Sequence, residues 1–143
     1  MNQTTIDGLS TQLGTSTGAR VLIVDDEACI SDLIAEMLNM LGYAPTKTES
    51  PQEALELLEQ QEFDVILSDF RMPLMNGDVF FRNAIAKNAG LKTRFVFLTG
   101  DSVSEGTSRF LTEHRCRHLC KPFDIASVEQ VISEVVSEHA IQA

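Results

Sequence analysis

Five polar residues lie where short apolar runs of this chain end, and their side chains are suited to phosphoryl chemistry. They are Asp25, Asp26, Asp69, Thr99 and Lys121. If the runs are parallel strands, these residues follow carboxyl ends that share one edge of a sheet, where open α/β sheets bind their ligands. The pattern therefore predicts a site for a divalent cation and a phosphoryl group at that edge.

Carboxylates gathered at one edge need a counter-charge, because two unit charges about 4 Å apart repel by on the order of 4 kcal/mol at an effective dielectric constant of roughly 20. Oxygen ligands of this kind suit Mg²⁺, and the adjacent pair Asp25 and Asp26 is predicted to bind it. Asp69 stands alone and is predicted to be the nucleophile that becomes an aspartyl phosphate. Lys121 would neutralise one phosphoryl oxygen, and Thr99 would donate a hydrogen bond to another.

The segments between the apolar runs have helical periodicity, so strand and helix alternate five times from Arg20 onward. This alternation predicts a doubly wound parallel α/β domain over residues 19–143, after a flexible tail or linker at residues 1–18. The fourth helix is expected over Ser102 to Glu113. The predicted apolar faces of the first and third helices are Ile30, Leu33, Ile34, Met37, Leu38 and Leu41, and Val79, Phe80, Ala84 and Ile85.

Local signals place several element boundaries. The segment from Tyr43 to Thr48 is polar and contains Pro45, so it is expected to be a strand at the edge of the sheet. Ser50 and Glu53 have the spacing of a capping box at the start of the second helix. Asp124 is expected to cap the last helix.

The overall charge disfavours several classes of function. Twenty-one acidic residues against 11 basic ones give a net charge of −10, which opposes direct binding to nucleic acid or to an anionic membrane surface. No apolar stretch approaches the roughly 20 residues that span a bilayer, and the first residues lack the pattern of a signal peptide. We therefore expect a cytoplasmic protein, in which the three cysteines are free thiols.

Four motifs together resemble the receiver domain of two-component response regulators. They are Asp25-Asp26-Glu27 after Val-Leu-Ile-Val, the run from Asp69 to Gly77, the pair Thr99-Gly100, and Lys121-Pro122-Phe123. The resemblance extends from about Arg20 to the C-terminus. It implies a flavodoxin-like fold with five parallel strands in the order 2-1-3-4-5.

The resemblance also implies roles for individual residues. Asp69 would accept a phosphoryl group from a phosphohistidine on a histidine kinase or a histidine phosphotransfer domain. Mg²⁺ would be bound by Asp26, Asp69 and the backbone carbonyl of Arg71, with Asp25 assisting through water. Lys121 would contact the phosphoryl group, and the peptide bond after it would be cis.

The resemblance further implies that phosphorylation triggers a conformational switch. Thr99 would move toward the phosphoryl group and shift the face made by the fourth helix, the fifth strand and the fifth helix, through which a homodimer could form. His118 occupies the switch position where the family usually has Tyr or Phe. The chain would be a signalling domain that catalyses only its own phosphorylation and dephosphorylation, either alone or as part of a hybrid sensor kinase.

The sequence leaves three alternatives to weigh against the receiver-domain interpretation. A haloacid dehalogenase-like phosphatase also has an aspartate nucleophile and Mg²⁺, but it needs a second aspartate at the position of Arg71. A flavodoxin-like nucleotide binder needs a phosphate-binding loop after the first strand, where this chain has three acidic residues. A zinc site could use alternating histidines and cysteines, namely His114, Cys116, His118 and Cys120, although one straight strand cannot surround a metal.

Overall fold

A computed structural model describes residues 18–73, 75–100 and 104–142 of the chain. It contains one five-stranded parallel sheet in the order β2-β1-β3-β4-β5, which confirms the predicted fold class. The strands are β1 (Arg20–Val24), β2 (Ala44–Thr48), β3 (Val65–Asp69), β4 (Phe95–Thr99) and β5 (Arg117–Cys120). The α-helices are α1 (Ala28–Met40), α2 (Pro51–Gln60), α3 (Gly77–Lys87), α4 (Glu105–His114) and α5 (Ile125–Gln142), and a 3₁₀ helix spans Ala89–Arg94.

The two faces of the sheet are covered by cores of different composition. The face under α1 and α5 is aliphatic, with β1 residues such as Val21 and Ile23 against Ile132 and Val135. The face under α2, α3 and α4 is rich in phenylalanine, and we call its six buried rings the aromatic core. These rings belong to Phe63, Phe80, Phe81, Phe95, Phe97 and Phe110. Both faces being buried explains why the central strands are continuous apolar runs.

Two residues predicted to lie on buried helix faces are exposed instead. Leu33 of α1 is 48% exposed and Val79 of α3 is 43% exposed. Their helices contact the sheet through other residues, since Ala35 and Phe81 are buried in the two cores. An apolar stripe that is wider than the contact strip leaves its outer members in solvent.

The predicted helix caps are present, but one predicted capping-box hydrogen bond is replaced by another. Ser50 Oγ accepts a hydrogen bond from Glu53 N at 3.2 Å, as expected of a cap. The Glu53 carboxylate does not complete the capping box but bonds to the Thr48 hydroxyl, which itself accepts from Ser50 N at 3.2 Å. At the last helix, Asp124 Oδ1 accepts from Ser127 N at 2.8 Å, so the predicted cap is present.

Some predictions fall outside the described residues. The proposed tail lies there except for Gly18, whose amide bonds to Gly42 O at 3.1 Å. Residues 101–103 also lie there, and in the described part the fourth helix begins at Glu105 after the cap residue Ser104, whereas its predicted start was Ser102. No described helix combines the length and apolarity needed to cross a bilayer.

Candidate phosphoryl-transfer site

The register of the sheet brings the polar strand ends to one level. Val24 pairs with Ser68, so Asp25 and Asp69 are the next residues on neighbouring strands. On the other side of β4, the amide of Lys121 donates to Thr99 O at 2.7 Å. Segments far apart in the chain therefore meet at the carboxyl edge of the sheet, as expected for a parallel α/β fold.

Lys121 lies among three carboxylates. Its Nζ atom is 3.7 Å from Asp69 Oδ2, 3.9 Å from Asp25 Oδ2 and 3.8 Å from Glu27 Oε1. Asp25 is fully buried, the Asp69 side chain is 10% exposed and that of Lys121 is 24% exposed. One ammonium group cannot balance three carboxylates, so the site has an excess of negative charge that a cation would neutralise.

The converging carboxylates are those of Asp25, Glu27 and Asp69, which we call the acidic cluster. One oxygen from each lies within 4.8 Å of the others. Asp26 is exposed and lines the same cavity, of about 360 Å³, without belonging to this group. Glu27 belongs to the Asp25-Asp26-Glu27 motif, but the sequence alone predicts no role for it. The signal was its position directly after two aspartates, although only the turn into α1 brings its side chain back to Lys121.

Burial raises the pKa of Asp25 from 3.8 to about 6. The hydrogen bond from Glu27 N opposes this rise, nearby Asp69 adds to it, and Lys121 opposes it. Burial also raises the pKa of Asp69, and Lys121 and the amide of Arg71 hold that rise back. Both carboxylates are thus destabilised in their charged form, as desolvation predicts.

Asp69 is held by the loop that follows β3. Asp69 Oδ1 accepts a hydrogen bond from Arg71 N at 3.3 Å. The start of α3 closes on the same turn, where Gly77 N donates to Phe70 O at 2.7 Å. A Cβ atom at Gly77 would lie 2.9 Å from Asp69 O, so this close approach requires glycine.

Thr99 lines the cavity, but its hydroxyl points to β5. Its Oγ1 atom donates to Leu119 O at 3.3 Å and lies 3.6 Å from Cys120 Sγ. His118 pairs in register with Phe97 and is exposed on the edge strand β5. The structure therefore brings Thr99 to the site and leaves His118 outside it. The Lys121-Pro122 peptide bond is cis, as the resemblance implied.

The acidic cluster fits a hard divalent cation. Asp25 Oδ1 accepts from Glu27 N at 2.9 Å, but its buried Oδ2 has no hydrogen-bond partner among the described residues. An orphaned carboxylate oxygen beside two further carboxylates is the kind of donor set that Mg²⁺ takes. No comparable group of histidines and cysteines converges in the described part of the chain, where His114 ends α4 rather than lying on β5.

Comparisons with known proteins agree with this geometry. Residues 21–133 match the response regulator receiver domain. The chain is 30% identical over 121 residues to the two-component response regulator ARR12 of Arabidopsis thaliana, covering 83% of this chain but only 20% of that protein. It is 29% identical over 118 residues to the probable chemotaxis protein CheY of Rhizobium etli, covering 81% of this chain and 91% of that protein.

One similar solved structure contains a metal ion. The receiver domain of a sensor histidine kinase from Pseudomonas aeruginosa PAO1 was crystallised with a magnesium ion coordinated in its active site cleft. It is 26% identical to this chain with a TM-score of 0.75, and the match covers 85% of this chain and 99% of that one. The two chains share their fold, and in this chain the acidic cluster lies at the carboxyl edge of the sheet.

Proposed function

Because this chain belongs to the response regulator receiver domain family, which acts in phosphorelay signal transduction, we propose that Asp69 is its phosphoacceptor. The observation that supports this most directly is the position of Lys121 Nζ, 3.7 Å from Asp69 Oδ2 and close to the carboxylates of Asp25 and Glu27. The match to the receiver family gives no support to the haloacid dehalogenase-like alternative.

The proposed reaction is a displacement at phosphorus. A carboxylate oxygen of Asp69 attacks the phosphorus of a phosphohistidine, and a P–O bond forms as the P–N bond breaks. The electron pair of the broken bond goes to the imidazole nitrogen of the donor. Lys121 balances charge on the transferred group, and the Thr99 hydroxyl leaves Leu119 O to donate to a phosphoryl oxygen.

We propose that Mg²⁺ is held by Asp25, Asp69 and the backbone carbonyl of Arg71, together with Asp26, which is outside the acidic cluster but lines the same cavity as Asp69 and Arg71. When bound, it would neutralise the carboxylates and the phosphoryl oxygens. Glu27 lies close enough to Asp25 and Asp69 to add to the negative field. Without such a cation, an incoming phosphoryl group would meet the net negative charge of the acidic cluster.

The partner would be a histidine kinase or a histidine phosphotransfer domain in the cytoplasm. The rotation of Thr99 would change the face made by α4, β5 and α5, through which a homodimer could form, and His118 would respond from the exposed edge of that face. Besides accepting the phosphoryl group, the domain would catalyse only its hydrolysis. We propose residues 19–143 as the receiver domain and residues 1–18 as a tail or linker.

Acetyl phosphate with Mg²⁺, followed by intact-mass measurement, tests the proposal. We expect an acid-labile adduct of about 80 Da in the wild-type protein, no adduct in Asp69→Asn, and none when EDTA is present. Asp32→Asn is the matched control, since Asp32 is an exposed aspartate on α1 that pairs with Lys47 at 2.6 Å. An adduct that persists in Asp69→Asn, or that maps to another residue, would contradict the assignment.

A further inference from the structure

A second cavity, of about 720 Å³, lies beside the phosphoryl-transfer site, between the loop after β3, α3 and α4. We call it the α3-α4 groove. It shares the wall residues Phe70, Arg71, Ser104 and Thr107 with the site cavity. An occupant of the groove would therefore touch the residue that follows Asp69 directly.

The charge of the groove is opposite to that of the molecule. Arg71, Arg82 and Arg109 line it, against the two carboxylates of Asp78 and Glu113. The chain as a whole has 21 acidic and 11 basic residues, so more than a quarter of the basic residues meet in one groove. The groove lining thus has one more guanidinium group than carboxylates, on a protein whose net charge is −10, and this local difference favours an anionic ligand.

The three guanidinium groups are either unpaired or weakly paired. Arg82 lies 3.6 Å from Asp78, and these side chains are 56% and 31% exposed. Arg71 is exposed and forms no ion pair within the described residues. Arg109 has only a 3.6 Å contact with Glu105, and these side chains are 64% and 88% exposed. Exposed pairs of this type contribute little, so a carboxylate of a ligand could replace Glu105 with almost no loss.

The base of the groove is aromatic. Phe110 is 7% exposed, and its ring meets that of Phe70 edge to face at 5.5 Å between centroids. The guanidinium of Arg82 lies over the Phe110 ring at 5.3 Å, and Met72 and Pro73 extend the apolar surface. An apolar side chain inserted between the arginines would find complementary surface there.

We propose that the α3-α4 groove docks an acidic segment of a partner protein, with carboxylates bound by the arginines and one apolar side chain seated on Phe70 and Phe110. Arginine suits this role because its planar group binds carboxylates in a bidentate manner. The shared wall places the segment next to the phosphoacceptor, so docking and phosphorylation would influence each other reciprocally.

The test uses the full chain and a short fluorescein-labelled polyglutamate peptide with one central phenylalanine, measured by fluorescence anisotropy without Mg²⁺ or acetyl phosphate. A failure of the phosphorylation proposal therefore cannot affect the result. We expect salt-sensitive binding that weakens at least about tenfold in the double variant Arg82→Gln, Arg109→Gln. The same peptide without phenylalanine should bind more weakly to the wild-type protein.

The matched control is Lys87→Gln, Arg115→Gln, which removes the same charge outside the groove. Its affinity should stay within about twofold of wild type, or about 0.4 kcal/mol. Equal losses in the two double variants would show that only net charge matters, and absence of wild-type binding would also overturn the proposal. So would sedimentation that shows a wild-type dimer lost in Arg82→Gln, Arg109→Gln, because the occupant would then be a second copy.

Discussion

Val24 and Asp25 are neighbours in the chain and both are 0% exposed, yet they affect stability in opposite directions. Val24 packs into the core that contains the aromatic rings, where burial of apolar surface is favourable. Asp25 has a buried oxygen that finds no hydrogen-bond partner in the described part of the chain, and burial raises its pKa to about 6. The apolar core below the edge of the sheet therefore stabilises the fold, and the desolvated carboxylate at the edge destabilises it.

The neighbouring strand β3 likewise has a stabilising core residue followed by a destabilised carboxylate. Leu67 lies in the aliphatic core, whereas Asp69 is held in a desolvated site where its charged form is disfavoured. On both β1 and β3 the core residues end and the site residues begin at the same level of the sheet, because the register of the two strands is fixed. The core must therefore stabilise the fold by more than the acidic cluster destabilises it.

The largest expected effect comes from the core. Phe97 is fully buried and its ring contacts four others, those of Phe70, Phe81, Phe95 and Phe110. Phe97→Ala should lower the free energy of unfolding by about 3–5 kcal/mol, because it removes apolar contacts and leaves a cavity. Urea denaturation followed by circular dichroism measures this.

The half-exposed Val79 provides the control for that variant. Val79→Ala should lower the free energy of unfolding by less than about 1 kcal/mol. If Phe97→Ala had no larger effect than Val79→Ala, the aromatic core would not be the main source of stability on its face of the sheet.

Adding Mg²⁺ should relieve the charge excess of the acidic cluster. At a concentration about 100 times the Kd, mass action adds about 2.7 kcal/mol, and the thermal midpoint rises by several degrees. In Asp69→Asn the metal-free protein should melt above the wild-type protein, since one of the repelling carboxylates is gone, and the response to Mg²⁺ should be smaller. A scan in which neither Mg²⁺ nor the substitution changes the midpoint would contradict a repulsive cluster.

The smallest expected effect is a pH dependence that comes from Asp25. Because its pKa is about 6 in the folded protein and 3.8 in the ordinary state, the folded protein retains the proton to higher pH than the unfolded chain does. The stabilisation that this proton gives the folded state is fully present below about pH 3.8, and it is lost as the pH rises through about 6. Without metal, Asp25→Asn should therefore gain stability relative to wild type as the pH rises from 4 to 7.

Thermal midpoints across that range, by differential scanning fluorimetry, measure the difference. It should amount to a few degrees at neutral pH and shrink near pH 4. A difference between wild type and Asp25→Asn that does not change with pH would mean that Asp25 is not desolvated as the structure indicates. Asp32→Asn serves as the control and should show no such trend.

Sequence patterns were sufficient to predict the strands and helices and two of the three carboxylates of the acidic cluster. Apolar runs that end on polar residues indicate four of the five strands, and they predict Asp25, Asp69 and Lys121 as site residues because each follows such a run. The buried faces of helices were less predictable. Leu33 and Val79 fit the helical spacing but lie outside the contact strip, because which part of a wide stripe is buried depends on how the helix meets the sheet.

The parallel α/β fold and the acidic composition of the carboxyl edge of the sheet can be predicted from the sequence alone, because alternating periodicity and the residues at strand ends are local properties. Three contacts become visible only in the folded chain. Glu27 rather than Asp26 completes the acidic cluster, Thr99 bonds to Leu119, and arginines from α3 and α4 meet in one groove. Such contacts join residues distant in the chain. They depend on strand register and helix packing, which no local pattern specifies.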